Sequence, residues 1–421
     1  MTTHTPEATT LEVKLNSPTS RMTTVTVPTT TFKYNFTLIH ETWPTVFFNA
    51  KAPKSHFKLV STDYQKQNKT ILTQPQIMPP TLSWSNSSDG ARYLVYVCDE
   101  RHGCGGLGDR QRTIVSLYVL SRLVNRRFSI IMSSPCDITH FFVPFKVQWL
   151  PPPDLDPPTK DNTVYEMTTG TGLKFSSSLK SGDFNEMYPQ RVLYLITNID
   201  MFDYFGVNPI YSSVFKQWNG LLTRRGRFHW AWGELMRPTP PVMSELVSIL
   251  GETFLKKKGV LPVNDGRATK LKSLYDVGNT SLICAHVRVG QNPSNPHDEP
   301  FTAVTVEDLP MLHNFMLSKD TKGDAMFYVA SDYINVRILS HNFFGKRFLE
   351  YGAQIKHIDR QRSGSDACDG FKWTLVDQFI LSLCDVLVMS PSGFSLGAYY
   401  TSNSTDTTYI LGDGKIKPYY E

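Results

Sequence analysis

The run from residue 93 to 132 constrains the fold most. It reads YLVYVC, then a glycine-rich GCGGLGDRQRT (103–113) that leads into the helical stretch TIVSLYVLSRLV, then RFSIIM. A six-residue apolar run without alternation suits a strand buried on both faces. The glycines supply the turn, and residues 110–125 read as a helix whose Ile114, Leu117, Leu120, Ser121 and Val124 keep one face apolar. Strand, helix and strand in this order form a βαβ unit, which specifies a parallel α/β sheet.

The alternation recurs. RVLYLIT (191–197) reads as a further buried strand, and WAWGELMRPTPP (230–241) as a crossing between domains, its prolines opening a helix at about 242. Then come the strand SLICAHVRV, the strand AMFYVASD, the helix YINVRILSHNFF, the strand AQIKHI, the helix KWTLVDQFILSLC, the strand VLVMS and a helix opening at GFSLGAYYT. The expected architecture is α/β, with two sheets facing each other across a cleft. Ligands of such sheets bind at the carboxyl ends of the strands. Residues 1–31 are dominated by Thr, Ser and Pro, a composition that cannot bury a core and suits a flexible stalk. The division expected is a stalk over 1–31, an α/β domain with the glycine loop over 32–240, and a second α/β domain over 241–421.

Charge and cysteines narrow the function. A net charge of +5 over 421 residues is too mild for a nucleic-acid protein and compatible with an anionic small ligand. Abundant aromatics (25 Phe, 19 Tyr, 7 Trp) build cores and line sugar and base pockets. The six cysteines, at 98, 104, 136, 284, 368 and 384, contain no C-x-x-C, which argues against a zinc site. Their even number, with N-x-[ST] acceptors at Asn35, Asn68, Asn86, Asn279 and Asn403, points to an oxidising secretory lumen. No stretch approaches the ~20 apolar residues of a membrane span, and no apolar signal core opens the chain. Membrane anchoring is therefore expected only through a segment absent from this sequence.

Four loops carry candidate chemistry. Gly103, Gly105 and Gly108 spell G-x-G-x-x-G, but the strand after them ends in serines, and Asp137 comes late for a ribose carboxylate. The adjacent Asp109 and Arg110 stand at a helix start, where anions collect and a guanidinium can grip a phosphate. In HVRVG (286–290), His286 and Arg288 share one side of a strand, and Arg288 is either salt-bridged or phosphate-binding. SPSGFS (390–395) lets backbone N–H groups face a phosphate. D-L-D at 154–156 could hold a divalent cation on a nucleotide, but lies between proline runs that suit a surface loop.

Together, GCGGLGDR, HVRVG, VASD and DQFILSLCDVLVMSPSGFS resemble the fucosyltransferase superfamily that makes α1,2-, α1,6- and protein O-fucose links, and are also similar to the plant xyloglucan enzymes. The match spans about 93–135 and 282–400. The resemblance implies two facing Rossmann-like domains of GT-B type and metal-independent, inverting transfer of fucose from GDP-fucose to a glycan or glycoprotein hydroxyl in the Golgi lumen. It needs no cofactor beyond the donor substrate. It makes Arg288 the arginine that contacts the β-phosphate, with His286 beside it. Ser392, Gly393, Phe394 and Ser395 form the diphosphate loop. Gly106, Gly108 and Arg110 also fall on the donor, with Asp332 as the second-motif acid and Asp377 heading the last motif. Asp109 stands near donor or acceptor as a catalytic candidate. Val289 replaces the second arginine of H-x-R-R-x-D, Gln291 replaces its acid, and Pro391 and Gly393 differ from the family's Asn and Thr. The general base is not specified; Asp109, Glu100 and Glu234 are candidates. The rival readings are an NADP-dependent oxidoreductase using residues 103–108, and a sugar-nucleotide-binding module that has lost activity, for which Val289 is the motive.

Overall fold

A computed structural model describes residues 90–167, 173–218, 223–261, 277–290, 303–351, 355, 358, 365–402 and 407–420. The Thr/Ser/Pro-rich run at 1–31 and the acceptors at Asn35, Asn68, Asn86 and Asn403 lie outside them. Asn279 sits exposed in a turn.

Two sheets organise the chain. The first comprises β1 (Tyr93–Cys98), β2 (Arg127–Met132), β4 (Thr163–Glu166) and β5 (Val192–Thr197) in the order β2-β1-β5-β4, all parallel. All six residues of β1 are buried, which is why its sequence does not alternate. The second comprises β7 (Leu282–Val287), β8 (Met326–Ser331), β9 (Val386–Met389), β10 (Thr408–Gly412) and β11 (Lys415–Pro418) in the order β11-β10-β9-β7-β8. It is parallel except for the β10–β11 hairpin, which turns at Asp413 and Gly414, both at positive φ. A short antiparallel pair, β3 (Phe142–Pro144) with β6 (Met236–Pro238), stands apart.

Among the described residues the helices of eight or more residues are α1 (Leu107–Leu123), α2 (Pro209–Gln217), α3 (Arg224–Leu235), α4 (Pro240–Leu250), α5 (Leu309–Lys319), α6 (Ile334–Phe344), α7 (Ser365–Ser382) and α8 (Gly393–Thr401). Helix α1 begins at Leu107, three residues before the expected start, because Gly106 serves as its N-cap. It is also not amphipathic. Nearly every residue from Leu107 to Arg122 is buried, because α1 packs against the first sheet on one side and against α3 and α8 on the other. Its buried polar groups are satisfied locally: Thr113 Oγ1 donates to the Asp109 carbonyl at 2.9 Å, and Ser116 Oγ accepts from Met201 N at 3.1 Å. The expected strand over AQIKHI lies mostly outside the described residues; Ile355 and Ile358, which are described, are not in a strand.

All six cysteines are paired: Cys98–Cys104, Cys136–Cys368 and Cys284–Cys384. The second ties the loop after β2 to α7, so one covalent bond joins elements of the two sheets. Cys136, His140 and Cys368 bring potential metal-binding atoms within 4.8 Å, but both sulfurs belong to one disulfide and cannot act as thiolate ligands. Among the described residues no helix is long and apolar enough to cross a membrane.

Candidate functional site

Three strands of the second sheet end together. Beyond β7, Arg288 N donates to Ser390 Oγ at 2.9 Å, and that hydroxyl donates to the His286 carbonyl at 2.6 Å, lacing the ends of β7 and β9. Asp332, just past β8, accepts from Val289 N at 2.8 Å and Gly290 N at 2.9 Å, with Arg288 Nη1 at 3.3 Å. Ser395 Oγ donates to the Ser390 carbonyl at 2.9 Å, and Ser392 Oγ caps α8 by accepting from Phe394 N at 3.3 Å. The carboxylate of Asp332 is thus committed to holding the 288–290 turn. The Arg288 side chain stays a quarter exposed at the sheet edge.

His286 lies beneath this edge, 5% exposed, with its ring 4.9 Å from that of Phe394 and Nδ1 without a hydrogen bond among the described residues. Burial, and then the nearby Arg288 charge, push its pKa down to about 3. The ring is therefore neutral at physiological pH.

The first sheet meets this edge through α1. Asp109 Oδ2 accepts from Gly106 N at 3.2 Å, and its other oxygen pairs with the Arg112 guanidinium, so Asp109 caps the helix. Gly105, at φ +76°, has no room for a side chain, since a Cβ there would lie 2.8 Å from Asp109 Oδ2. A Cβ on Gly108 would lie 2.2 Å from the Gly393 carbonyl. The first turns of α1 and α8 are in backbone contact, and two positive helix ends are brought to one place. A reciprocal amide pair locks them: Gln111 Nε2 donates to Gln378 Oε1 at 2.7 Å, and Gln378 Nε2 donates to Gln111 Oε1 at 3.0 Å and to the Phe394 carbonyl at 3.1 Å.

The structure thus brings together Gly106, Gly108, Asp109, His286, Arg288, Asp332 and Ser392–Ser395. Two other expected site residues lie elsewhere. Arg110 is 1% exposed, its Nε donates to the Gly105 carbonyl at 2.9 Å, and its Nη1 donates to the Ser134 carbonyl. It braces the loop from inside, because a buried guanidinium must spend its donors on nearby carbonyls. Asp377 accepts from the Tyr328 hydroxyl at 2.7 Å and lies 4.0 Å from Arg337. Burial pushes its carboxyl up, opposed by Arg337 and Tyr328. Asp154 and Asp156 are exposed, and Asp156 pairs with Arg191 at 2.8 Å, as a surface loop requires.

Three features had no counterpart in the sequence reading. Arg112 bonds back to the first turn of α1, to the Gly108 carbonyl at 3.3 Å and to Asp109. Beside it a depression of about 310 Å³, partly open to solvent, is lined by Arg112, Asp200, Phe202, Arg224, Arg227 and Tyr400 among others. The third is Asp99 and His102 inside the loop that Cys98–Cys104 closes, with His102 Nδ1 2.7 Å from Asp99 Oδ1. Their D-x-x-H spacing was the available signal, but such spacing is too common to single out.

No protein-family model matches this chain, and no curated protein does. Solved structures do. An arginine-to-lysine variant of Arabidopsis thaliana FUT1, in complex with GDP, superposes with a TM-score of 0.50 at 15% identity, over 83% of this chain and 75% of that one. The NodZ α1,6-fucosyltransferase soaked with GDP-fucose gives 0.43 at 10% identity, over 78% and 98%. NodZ from Bradyrhizobium gives 0.40 at 11%, over the same shares. At these identities the likeness is one of fold alone, and the Arabidopsis match carries it: this chain, with its parallel sheets, shares the fold of that fucosyltransferase structure.

Proposed function

We propose that the protein is a GDP-fucose-dependent, inverting glycosyltransferase that moves fucose to a glycan hydroxyl. The observation that carries this reading is the convergence of Arg288, the 390–395 loop and the N-termini of α1 and α8 at one strand-end edge. Helix N-termini and a strand-end arginine are suited to a diphosphate, and the Arabidopsis neighbour holds GDP. As the bond between fucose and phosphate breaks, negative charge grows on the departing GDP. Arg288 and the backbone N–H groups of the 392–395 turn face that charge already oriented, a contribution on the order of several kcal/mol to the barrier. Charge neutralisation is assigned to these groups without a metal ion. Three disulfides support a secretory, Golgi-luminal setting.

The oxidoreductase reading loses its motive in the geometry of residues 103–108. The space beside Gly105 is filled by Asp109 and that beside Gly108 by Gly393, so these glycines serve contacts within the protein. Calorimetry with GDP, GDP-fucose and NADP tests the assignment. GDP and GDP-fucose are expected to bind, with Arg288→Ala weakening GDP at least tenfold and NADP silent. NADP binding without GDP binding would overturn it. Tight GDP binding with no turnover on a glycan panel would identify the inactive binding module.

A further inference from the structure

The proposed reaction needs a base for the acceptor hydroxyl, and the three carboxylates considered from sequence are poorly placed for it. Asp109 is the cap of α1 and is paired with Arg112, Glu234 is paired with Lys146 at 2.9 Å, and Glu100 is exposed in a turn. Resting on that reading, we propose that His102 is the general base, held in its working orientation by Asp99.

Both residues lie in the loop that leaves the carboxyl end of β1, the edge of the first sheet where a ligand of an α/β sheet is met. Cys98 ends β1 and Cys104 precedes the start of α1, so their disulfide closes the loop at both ends. The same segment continues through Gly105 into Gly108, whose backbone touches Gly393 of the diphosphate loop. One covalently closed turn therefore sits between the acceptor-side sheet edge and the donor loop.

The hydrogen bonding specifies the tautomer. A carboxylate only accepts, so the 2.7 Å contact to Asp99 Oδ1 places the ring proton on His102 Nδ1. Nε2 is then the basic atom, and it makes no hydrogen bond among the described residues. Asp99 is itself fixed: it accepts from Arg101 N at 3.0 Å and, on its other oxygen, from Arg101 Nε at 3.0 Å and Nη2 at 2.6 Å. Its carboxyl is held below the usual range by the Arg101 and His102 hydrogen bonds, which outweigh burial, so it stays ionised opposite an imidazolium. The charged and titratable groups facing His102 are Asp99 and Arg101 from its own turn, with Glu100 beside them, and Tyr165 of β4, whose ring is 5.4 Å away. His102 is 20% exposed, so a substrate hydroxyl can reach it.

In the step, Nε2 takes the proton of the acceptor hydroxyl while its oxygen forms the new bond to the anomeric carbon of fucose. The bond from that carbon to the β-phosphate oxygen breaks, and its electron pair leaves with GDP. The imidazolium then releases its proton to solvent. Donor hydrolysis uses water in place of the glycan hydroxyl.

The test is turnover of GDP-fucose on a glycan panel across pH, with GDP calorimetry and thermal unfolding run on the same proteins. His102→Gln is expected to bind GDP as wild type does, to lose at least about a hundredfold in kcat, and to lose the acid-side limb of the pH profile. Exogenous imidazole is expected to restore part of the activity of His102→Ala. Asp99→Asn should lower kcat with GDP affinity retained, unfolding being the check that the turn survives. Wild-type turnover in His102→Gln, or an acid-side limb that persists in it, would overturn the assignment. Failure of the underlying reading shows separately, as a wild-type protein that does not bind GDP; wild-type binding without turnover would overturn both.

Discussion

Two arginines of this molecule look alike in sequence and differ in what surrounds them. Arg110 stands in the glycine loop of the first sheet and Arg288 at a strand end of the second. Arg110 is buried with its guanidinium on main-chain carbonyls, whereas Arg288 is a quarter exposed, beside a carboxylate that already serves the turn. The lesson is that a charge near a phosphate-like loop is assigned by where its donors are spent. The first region uses its arginine to build the loop, and the second presents one at the loop's edge.

The largest expected effect comes from cutting the covalent tie between the two regions. Cys136–Cys368 closes a loop with a sequence separation of 232, for which chain entropy gives on the order of 5 kcal/mol. Replacing both cysteines with serine should lower the unfolding temperature by many degrees; a shift within two or three degrees would show that packing alone holds the regions together. Next comes Arg288→Ala, expected to cost at least about a hundredfold in kcat with little change in unfolding. Arg110→Met should do the reverse. It removes the guanidinium donors to the Gly105 and Ser134 carbonyls and should cost roughly 2–3 kcal/mol of stability, while the folded protein keeps GDP affinity within about threefold. If Arg110→Met abolished GDP binding in protein shown to be folded, the contrast between the two arginines would collapse.

Gly108→Ala sharpens the contact itself. The new methyl must displace the Gly393 backbone, at roughly 1–3 kcal/mol, and so should weaken GDP binding although residue 108 carries no side-chain donor of its own. Unchanged affinity measured by calorimetry would separate the helix junction from the donor site.

The last effect is a pH dependence set by the second region. His286 is pushed down to about 3 and His313 to about 4, both chiefly by burial, whereas an unfolded histidine protonates near ~6.5. Between these values the unfolded chain holds more protons, so stability present above ~6.5 is lost as pH falls toward the folded values. At pH 5 each of the two should cost at most about 2 kcal/mol. Thermal unfolding from pH 7 to 5 reads this, and a His286→Gln variant should show a shallower fall than wild type.

Much of the architecture was legible because buried parallel strands advertise themselves. β1, β5, β8 and β9 read as continuous apolar runs, since both of their faces are covered. The β10–β11 hairpin was not legible: β11 is a Lys-rich edge strand with its side chains largely exposed, and an exposed strand carries no such run. Helix α1 was legible as a helix but not as a core element. Its Gln111, Thr113 and Ser116 are polar, and their burial depends on partners that lie as far away as Gln378.

The sequence by itself determined the alternation of strands and helices, and with it the sheet edges at which loops gather. Local apolar patterning is enough to specify which segments are buried and in what order. It also placed Arg288 and the 390–395 loop at carboxyl strand ends of one sheet. Only the tertiary structure decided which of the gathered residues face outward. The backbone contact of Gly108 with Gly393, the inward turn of Arg110, the pairing of Asp377 with Tyr328, and the Asp99–His102 bond in a closed turn each depend on it. Hydrogen-bond direction and burial arise from contacts across the chain, and the letters of a motif do not carry them.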